Sequence, residues 1–257
     1  MSVINTNVKS LVAASALTVN ERFLSTAMEQ LSTGKRINSS KDDAAGQAIA
    51  SRMTAQIRGL DQAVRNANDG ISMLQTADGA MEEVSNMLQR MRELSVQYNN
   101  ETLSSTDSTA LSTEYSALAT EIGRIGSSTK WNGIDVFNSV SASLLQIGAN
   151  SGDTLSITID GISTAATIGS LGTLDDEITA LNTSRSNLGA YINRLTYASN
   201  NALNVSQNTS ASRSRIQDTD YAKVSAELAR TQIIQQAATA MLAQANQSTQ
   251  SVLALLK

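Results

Sequence analysis

The side chains that most often carry catalysis or hold transition metals are missing from this chain. Its 257 residues include no histidine and no cysteine, so the commonest general base, the commonest metal ligand and the thiolate nucleophile are all absent. Carboxylates are the remaining acid–base groups, and they cluster at Asp175-Asp176-Glu177 and at Asp218-Thr219-Asp220. Such groups could bind a hard cation. Acids at helix starts more commonly cap the helix and suit its dipole, and that is our expectation for both clusters.

Hydroxyl and amine pairs are the other candidate chemistry. Ser32 with Lys35 and Ser39 with Lys41 are close enough in sequence for a Ser–Lys dyad, but no neighbouring residue marks either serine as a nucleophile. We therefore expect no catalytic residue, no metal site and no cofactor. The chain carries 19 basic and 23 acidic residues, a net charge of -4, which argues against nucleic acid as a partner.

Residues 231–256 carry no formal charge and are numerous enough to span a bilayer. Glutamine and asparagine interrupt this stretch repeatedly, and unpaired amides are costly in hydrocarbon. We expect no membrane insertion. The apolar run at residues 11–19 is also a poor signal peptide, because its small-residue triplet Ala14-Ser15-Ala16 lies inside the run instead of after it.

Apolar side chains spaced three and four residues apart run through most of the chain and predict amphipathic helices. One helix is predicted from about residue 43 to residue 99, a second near residues 111–125 and a third near residues 174–205. Because each has one apolar stripe, the three should pack side by side as a bundle. The stripe positions are Met53, Ile57, Leu60, Val64, Ala67, Ile71, Leu74, Met81, Val84, Leu88, Met91, Leu94 and Tyr98; Leu111, Tyr115, Leu118, Ile122 and Ile125; and Leu174, Ile178, Leu181, Leu188, Ile192, Leu195, Ala202 and Val205.

The length of the first helix predicts an elongated molecule, since it would extend roughly 85 Å whereas a compact chain of this size is about 45 Å across. Alternating apolar and polar residues from Leu155 to Ile159, preceded by the turn-forming sequence Asn150-Ser151-Gly152-Asp153, predict a β-hairpin near residues 140–162. The expected fold class is mainly α: an elongated helical bundle rod with a small β-hairpin, plus a coiled coil formed by the N- and C-terminal helices.

The two chain ends predict that coiled coil. Residues 41–216 hold 12 basic and 18 acidic side chains, so the ends are nearly neutral by comparison. Their apolar residues cannot all be covered by pairing, which favours burial against other copies; frayed helices on a monomer are the alternative. The heptad-spaced residues are Ala14, Leu17, Leu24, Met28 and Leu31 at the N-terminal end and Ile234, Ala238, Met241, Ala245, Val252 and Leu255 at the C-terminal end.

Seven segments carry a resemblance to a known family. The longest is the run LSTGKRINSSKDDAAGQAIA at residues 31–50, which closely resembles the N-terminal signature of bacterial flagellins. The resemblance covers essentially the whole chain, although the variable outer domains of larger members are missing. The other matching segments are residues 65–72, 88–97, 146–150, 187–190, 214–222 and 252–257.

The resemblance to this family implies a structural protein and not an enzyme. Residues 1–40 and 217–257 would form the inner tube of a flagellar filament, and residues 41–216 its outer shell. The chain would polymerise with itself for swimming motility and would meet an export chaperone, the filament cap and hook-associated proteins. It would be secreted by the flagellar type III apparatus without a cleaved signal peptide. The alternative is a soluble coiled-coil adaptor or a hook–filament junction protein of related fold.

The resemblance also implies three groups of contact residues. Self-assembly through the terminal coiled coil is assigned to Leu17, Leu24, Met28, Leu31, Ile234, Met241, Val252 and Leu255. Subunit contact and recognition by the vertebrate innate flagellin receptor are assigned to Gln89, Arg90, Leu94, Gln97 and Glu114. The C-terminal segment sensed inside host cells is assigned to Val252, Leu253, Leu255 and Leu256. From spacing alone, Arg90 and Leu94 could equally be a surface residue and a bundle-facing leucine.

Overall fold

The computed structural model of the chain describes residues 6–137, 143–162 and 166–254; for residue 143 and residues 248–254 it describes the backbone only. The described residues are mainly helical, as predicted. In chain order the elements are α1 (Val8–Thr33), α2 (Ala44–Tyr98), α3 (Ser105–Ser128), β1 (Lys130–Trp131), β2 (Ile134–Asp135), β3 (Ser143–Gln146), β4 (Thr154–Ile157), α4 (Leu171–Gln217) and α5 (Tyr221–Ala254).

The chain forms two compact units. The terminal unit contains residues 1–54 and 209–257, and the central unit contains residues 55–208. By these bounds α2 and α4 each contribute residues to both units.

The core of the central unit consists of the apolar stripes predicted for the long helices. The stripe residues of α2 from Ile57 to Leu94 are buried or half-buried, although Tyr98 at the end of the predicted stripe is exposed. Because α3 and α4 add their own buried leucines and isoleucines, the three-helix bundle is confirmed for this unit. The least exposed of these side chains are Leu74, Met81, Val84, Met91, Leu94, Ile122, Leu174, Leu188 and Leu195.

The predicted hairpin is present as the antiparallel pair β3–β4, in which Leu145 lies opposite Leu155. The carboxylate of Asp153 closes its turn by accepting a hydrogen bond from the Asn150 N–H at 3.0 Å. Residues 138–142, which the sequence places at the start of the hairpin region, lie outside the described residues. On the other side of the hairpin, the amide of Asn66 in α2 donates to the Gln146 carbonyl at 3.1 Å, so the hairpin rests on α2.

A second, smaller antiparallel pair, β1–β2, was not predicted. Trp131 pairs with Ile134, and the two residues between them, Asn132 and Gly133, have φ values of 50° and 80°. This is the backbone of a type I′ turn, for which Asn-Gly is the strongest short-range sequence signal. The signal was present at residues 132–133, but the strands are too short to show alternation.

Helix ends follow the expected capping chemistry, with one correction. Asp220 caps α5, because its side chain accepts hydrogen bonds from the N–H groups of Ala222 and Lys223. The cluster at Asp175–Glu177 does not open a helix, since α4 begins at Leu171, four residues earlier. Asp175 has a partner of its own instead, described below.

No helix among the described residues has both the length and the apolarity needed to cross a membrane.

Candidate functional site

The terminal unit is built on the pairing of α1 with α5. In each helix the residues that are not exposed recur every three or four positions, so each helix turns one narrow seam toward the other. The seam of α1 consists of Ala13, Leu17, Asn20, Leu24, Ala27 and Leu31. The seam of α5 consists of Val224, Leu228, Thr231, Gln235, Ala238, Leu242 and Ala245.

Asn20 of α1 and Asn7, the residue that caps its N-terminus, cross this seam by donating hydrogen bonds to backbone carbonyls of α5. The Asn20 side-chain amide donates to the Thr231 carbonyl at 2.8 Å, and Asn20 and Thr231 are only 5% and 2% exposed. Near the start of α1, the Asn7 amide donates to the Ala245 carbonyl at 3.1 Å. Because the earlier residue of α1 meets the later residue of α5, the two helices run antiparallel.

A backbone clasp holds the other end of the pair. Gly34 ends α1 with φ 70°, and the segment after it pairs with the turn before α5: the Arg36 N–H donates to the Gln217 carbonyl at 2.7 Å and the Thr219 N–H to the Gly34 carbonyl at 3.0 Å. The ring of Tyr221 packs over the turn, so that a Cβ at Gly34 would lie 2.9 Å from its hydroxyl. The left-handed φ favours glycine at this position, and any larger residue would also displace the Tyr221 hydroxyl.

Outside the seam, the helix pair presents a second apolar surface, which we call the outward face and which carries the exposed side chains of Val8, Val12, Phe23 and Met241. Val12, Phe23 and Met241 are 63%, 59% and 65% exposed. Two open grooves run along it, one of about 710 Å³ that includes Val8 and Met241 and one of about 670 Å³ that includes Phe23. Large apolar side chains gathered on one surface are typical of an interaction site.

The predicted contact residues of the terminal helices divide between the two surfaces. Leu17, Leu24 and Leu31 lie in the seam as expected. Met28, Ile234 and Met241 are exposed, so their expected place in the seam between the two helices is wrong, whereas their assignment to self-assembly stays a prediction. Val252 lies outside the described side chains, and Leu255 lies outside the described residues.

The error has a simple geometric cause. The expected stripe used Ala14 and Met28 where the structure uses Ala13 and Ala27, one position earlier, and one residue turns a helix by about 100°. The expected and the observed stripe of α1 both contain Leu17, Leu24 and Leu31, so a spacing of three and four residues is compatible with either stripe. Sequence reasoning also missed Asn20 and Thr231. Asn20 could have been identified from the sequence, because an asparagine between heptad-spaced leucines is typical of a residue that determines pairing specificity.

The second candidate surface lies in the central unit, where α2 and α3 are joined by an arginine. Arg90 forms ion pairs with Glu93 at 3.0 Å and with Glu114 of α3 at 2.9 Å. The hydrogen bonds that Arg90 donates to Glu93 and to Glu114 raise the pKa of this arginine, so it stays charged. Gln89 and Gln97 are also exposed. Four of the five residues assigned to subunit contact and receptor recognition therefore point to solvent.

Leu94 is the fifth, and the structure resolves its two interpretations in favour of the bundle. Its side chain is 1% exposed and belongs to the core of the central unit. A partner cannot touch this side chain directly while the bundle is folded. Leu94 can affect the surface only by supporting the turn of α2 that carries Arg90.

A further ion pair joins α2 to α4 close by. Arg92 Nε lies 2.6 Å from Asp175 Oδ1, and the arginine lowers the pKa of the Asp175 carboxyl through this hydrogen bond. The exposed ion pairs of Arg90 with Glu114 and of Arg92 with Asp175 join α2 to α3 and to α4, and neither suggests a catalytic role. Within the described residues, no three carboxylates are gathered so that they could hold a metal ion.

The fold and its surfaces define a helical structural protein with an apolar face that the described residues leave exposed. Comparison with known proteins identifies the family. The bacterial flagellin N-terminal helical region matches residues 4–142, and the C-terminal helical region matches residues 171–256. The chain belongs to the bacterial flagellin family, and is a structural subunit of the flagellar filament and not an enzyme.

Relatives of similar length support this assignment. Flagellin of Halalkalibacterium halodurans is 44% identical, with 99% of this chain and 100% of the relative covered. Flagellin of Xenorhabdus nematophila is 40% identical over 100% of this chain and 99% of its own. The flagellar filament 33 kDa core protein of Treponema phagedenis is 39% identical over 99% and 100%. Among solved structures, Bacillus cereus flagellin has 31% identity and a TM-score of 0.47, covering 54% of this chain and 88% of its own.

Proposed function

We propose that copies of this chain polymerise by burying the outward face of α1 and α5 against one another. Residues 1–40 and 217–257 would form the inner tube of the filament, and residues 41–216 its outer shell. The observation that carries the proposal is the exposure of large apolar side chains on a helix pair whose own seam leaves its leucines only half-buried. Nothing observed favours the alternative of a soluble adaptor.

The gain from burial supports many weak, repeated contacts. Val8, Val12, Phe23 and Met241 each expose more than half of their surface. Burying what remains exposed is worth roughly 1 kcal/mol for each side chain, or about 4 kcal/mol per copy, before the cost of association. One contact of this size holds two copies weakly. A heterologous contact that does not close into a ring repeats along a filament and adds up.

Seeded elongation tests this proposal. Purified chain is added to filament seeds in a sulfate buffer, which strengthens apolar burial, and filament length is followed by negative-stain microscopy. The double variant Val12→Ser, Phe23→Ser should elongate about tenfold more slowly than the wild type, or slower still. A chain lacking residues 217–257 should not elongate. The matched control is Leu203→Ser, which removes an apolar side chain that is 49% exposed in the central unit.

Small uniform particles from the wild-type chain would favour the adaptor and contradict polymerisation. Equal elongation by the wild type and the double variant would instead move the assembly contact away from the outward face. The inner and outer assignment is tested separately by proteolysis of assembled filaments: cleavage in residues 41–216 should precede cleavage in residues 1–40 and 217–257.

For the exposed surface around Arg90 we propose two uses, a contact between subunits and recognition of the monomer by the vertebrate innate receptor. Support comes from the fixed position of its guanidinium between Glu93 and Glu114, beside the exposed amides of Gln89 and Gln97. In a reporter-cell assay, Arg90→Ala monomer should signal more weakly than wild type. Arg124→Ala is the matched control, since this arginine is also exposed and paired. Equal loss in both variants would refute a specific role for Arg90.

The C-terminal segment is proposed as the part sensed inside host cells. Leu255 and Leu256 lie outside the described residues, as do the side chains of Val252 and Leu253, so the proposal rests on the family resemblance. Delivering the variant with alanine at all four positions to the cytosol of responsive cells should reduce inflammasome activation below that of wild type. Unchanged activation would exclude these four residues.

We further propose export through the flagellar type III apparatus, with an export chaperone, the filament cap and hook-associated proteins as partners. Family membership supports this route. Chain should accumulate in the culture medium of a strain with the apparatus and stay in cells of a strain without it. Equal secretion from both strains would contradict the route.

A further inference from the structure

The seam between α1 and α5 has a property that heptad packing does not require. Asn20 occupies a position where a leucine would add apolar contact, between Leu17 and Leu24 in the α1 series. Its amide is buried and donates across the seam to the Thr231 carbonyl at 2.8 Å. A single polar residue at such a position lowers stability and selects which partner can pair.

Thr231 is suited to receive this amide. Its own hydroxyl donates back to the carbonyls of Glu227 and Leu228 at 2.9 Å, so its polar side-chain atom is satisfied within α5. Its backbone carbonyl then accepts the Asn20 amide in a place that is 2% exposed. Buried on any surface that lacks such an acceptor, the amide would lose its hydrogen bonds to water without replacement.

The pairing most in need of prevention is α1 with α1. Leu17, Leu24 and Leu31 of one copy could pack on the same residues of a second copy, because they repeat at heptad spacing. The backbone clasp at Gly34 restrains the pairing within one chain, but it places no restraint on pairing between copies. An in-register α1–α1 seam would bury two Asn20 side chains that have only each other as partners and share one hydrogen bond, whereas the α1–α5 seam buries one amide that forms a hydrogen bond of its own.

We propose that Asn20 is the specificity-determining residue of the terminal helix pair: its buried hydrogen bond to Thr231 favours α1–α5 pairing within a chain and disfavours α1–α1 pairing between copies. The inference rests on the proposed function, because such mispairing becomes important only where many copies are concentrated together. Asn20 would keep the seam of α1 paired with α5 of the same chain, while the outward face contacts other copies.

The absence of cysteine from the chain allows a clean disulfide assay. Ala27 is 4% exposed in the seam, so an Ala27→Cys thiol is protected in the α1–α5 pair and meets its counterpart only when two α1 helices pair. The Ala27→Cys chain is oxidised as monomer at several concentrations, and disulfide-linked dimers are quantified. A Met28→Cys chain, with the thiol at an exposed position, gives the dimer yield of an unprotected cysteine.

With Asn20→Leu added, we expect the dimer yield of the Ala27→Cys chain to rise about tenfold, while the midpoint of thermal unfolding stays the same or rises. Asn20→Ala is the second variant, which removes the amide without adding apolar contact and should also raise the yield. Leu24→Ala is the matched control. It weakens the seam without changing a polar group, and should lower the unfolding midpoint without raising the yield.

No rise in either Asn20 variant would overturn the proposal, and so would an equal rise in Leu24→Ala, because Asn20 would then contribute only to stability. Seeded elongation of the wild-type chain is measured in parallel. Failure of elongation contradicts the proposed polymerisation, whereas the disulfide ratio decides pairing specificity on its own.

Discussion

Two glycines of α2 allow a stringent test of how the hairpin is seated. An added Cβ at Gly59 would lie 3.0 Å from the Ala149 Cβ and 3.3 Å from its Cα, in the segment that follows β3. An added Cβ at Gly79, on the same helix, would meet nothing within 4 Å. In a helix interior, Gly→Ala normally stabilises by about 1 kcal/mol. The two positions should therefore differ by the cost of displacing the hairpin and by little else.

That cost can be bounded from the contact distances. Ala149 has no flexible side chain that could move aside, so the backbone of the hairpin must shift by a few tenths of an ångström or lose its contact with α2. Overpacking of this kind typically costs about 1–3 kcal/mol. We expect Gly79→Ala to stabilise by about 1 kcal/mol. We expect Gly59→Ala to be less stable than Gly79→Ala by about 1–3 kcal/mol.

Urea unfolding followed by circular dichroism measures both free energies, and equal slopes would show that the unfolded states match. Two equally stabilised variants would refute the reasoning, because the hairpin would then not be seated against Gly59. Two equally destabilised variants would also refute it, since Gly79 has open space around it. Double substitution should give the sum of the two changes, because the positions share no contact.

Three further outcomes follow from individual side chains. Tyr115 donates a hydrogen bond from its hydroxyl to the Ala166 carbonyl at 3.0 Å, and burial raises the pKa of this tyrosine above the ordinary 10.0. The stability gained from the neutral tyrosine is complete below pH 10.0 and is lost as pH rises toward the raised pKa. Tyr115→Phe should therefore flatten the fall in stability at alkaline pH, measured by urea unfolding. A hydrogen bond from the Ser39 backbone N–H lowers the pKa of the exposed Asp42 from 3.8. The stability gained from the ionised carboxylate is present above pH 3.8 and is lost as pH falls through the lowered pKa. Asp42→Asn should therefore flatten the fall in stability at acid pH, and an unchanged fall would contradict this. Ser104→Ala removes the capping box of α3 and should cost about 1 kcal/mol in the same unfolding experiment.

The sequence could predict which segments are helical because the apolar period is repeated many times along each one. A helix expected from about residue 43 to residue 99 is observed as Ala44–Tyr98. The hairpin was predictable from Asn150–Asp153 and the alternation after it. The face that each terminal helix turns to its partner was not, because apolar residues lie on more than one side of both helices. Choosing between neighbouring stripes requires knowing that Asn20 meets an acceptor, which is a tertiary fact.

The candidate surface of the central unit shows the same limit. The apolar period placed Leu94 in the bundle-facing stripe, whereas the family resemblance assigned both Arg90 and Leu94 to contacts with partners. The structure agrees with the apolar period, since Leu94 is 1% exposed in the core while Arg90 reaches Glu114 on α3. A matching motif alone therefore does not tell which of its residues touches a partner and which one supports the fold.

The contrast between the seam and the outward face predicts how the terminal unit behaves before assembly. The buried side chains of the seam are the small or polar Ala27, Asn20 and Thr231, whereas its leucines are only half-buried. The α1–α5 pair therefore gains only partial apolar burial from its own chain. The core of the central unit, by contrast, buries long stripes of leucine and methionine. Local stability follows buried apolar contact. Amides of α1 and α5 should therefore exchange hydrogen for deuterium much faster than those of α2 near Leu88 in the monomer, and should become protected in the filament when the outward face is covered. Equal protection of α1 and α2 in the monomer would show that the seam alone stabilises the α1–α5 pair. It would contradict the inference that this pair needs the outward face to be covered by other copies.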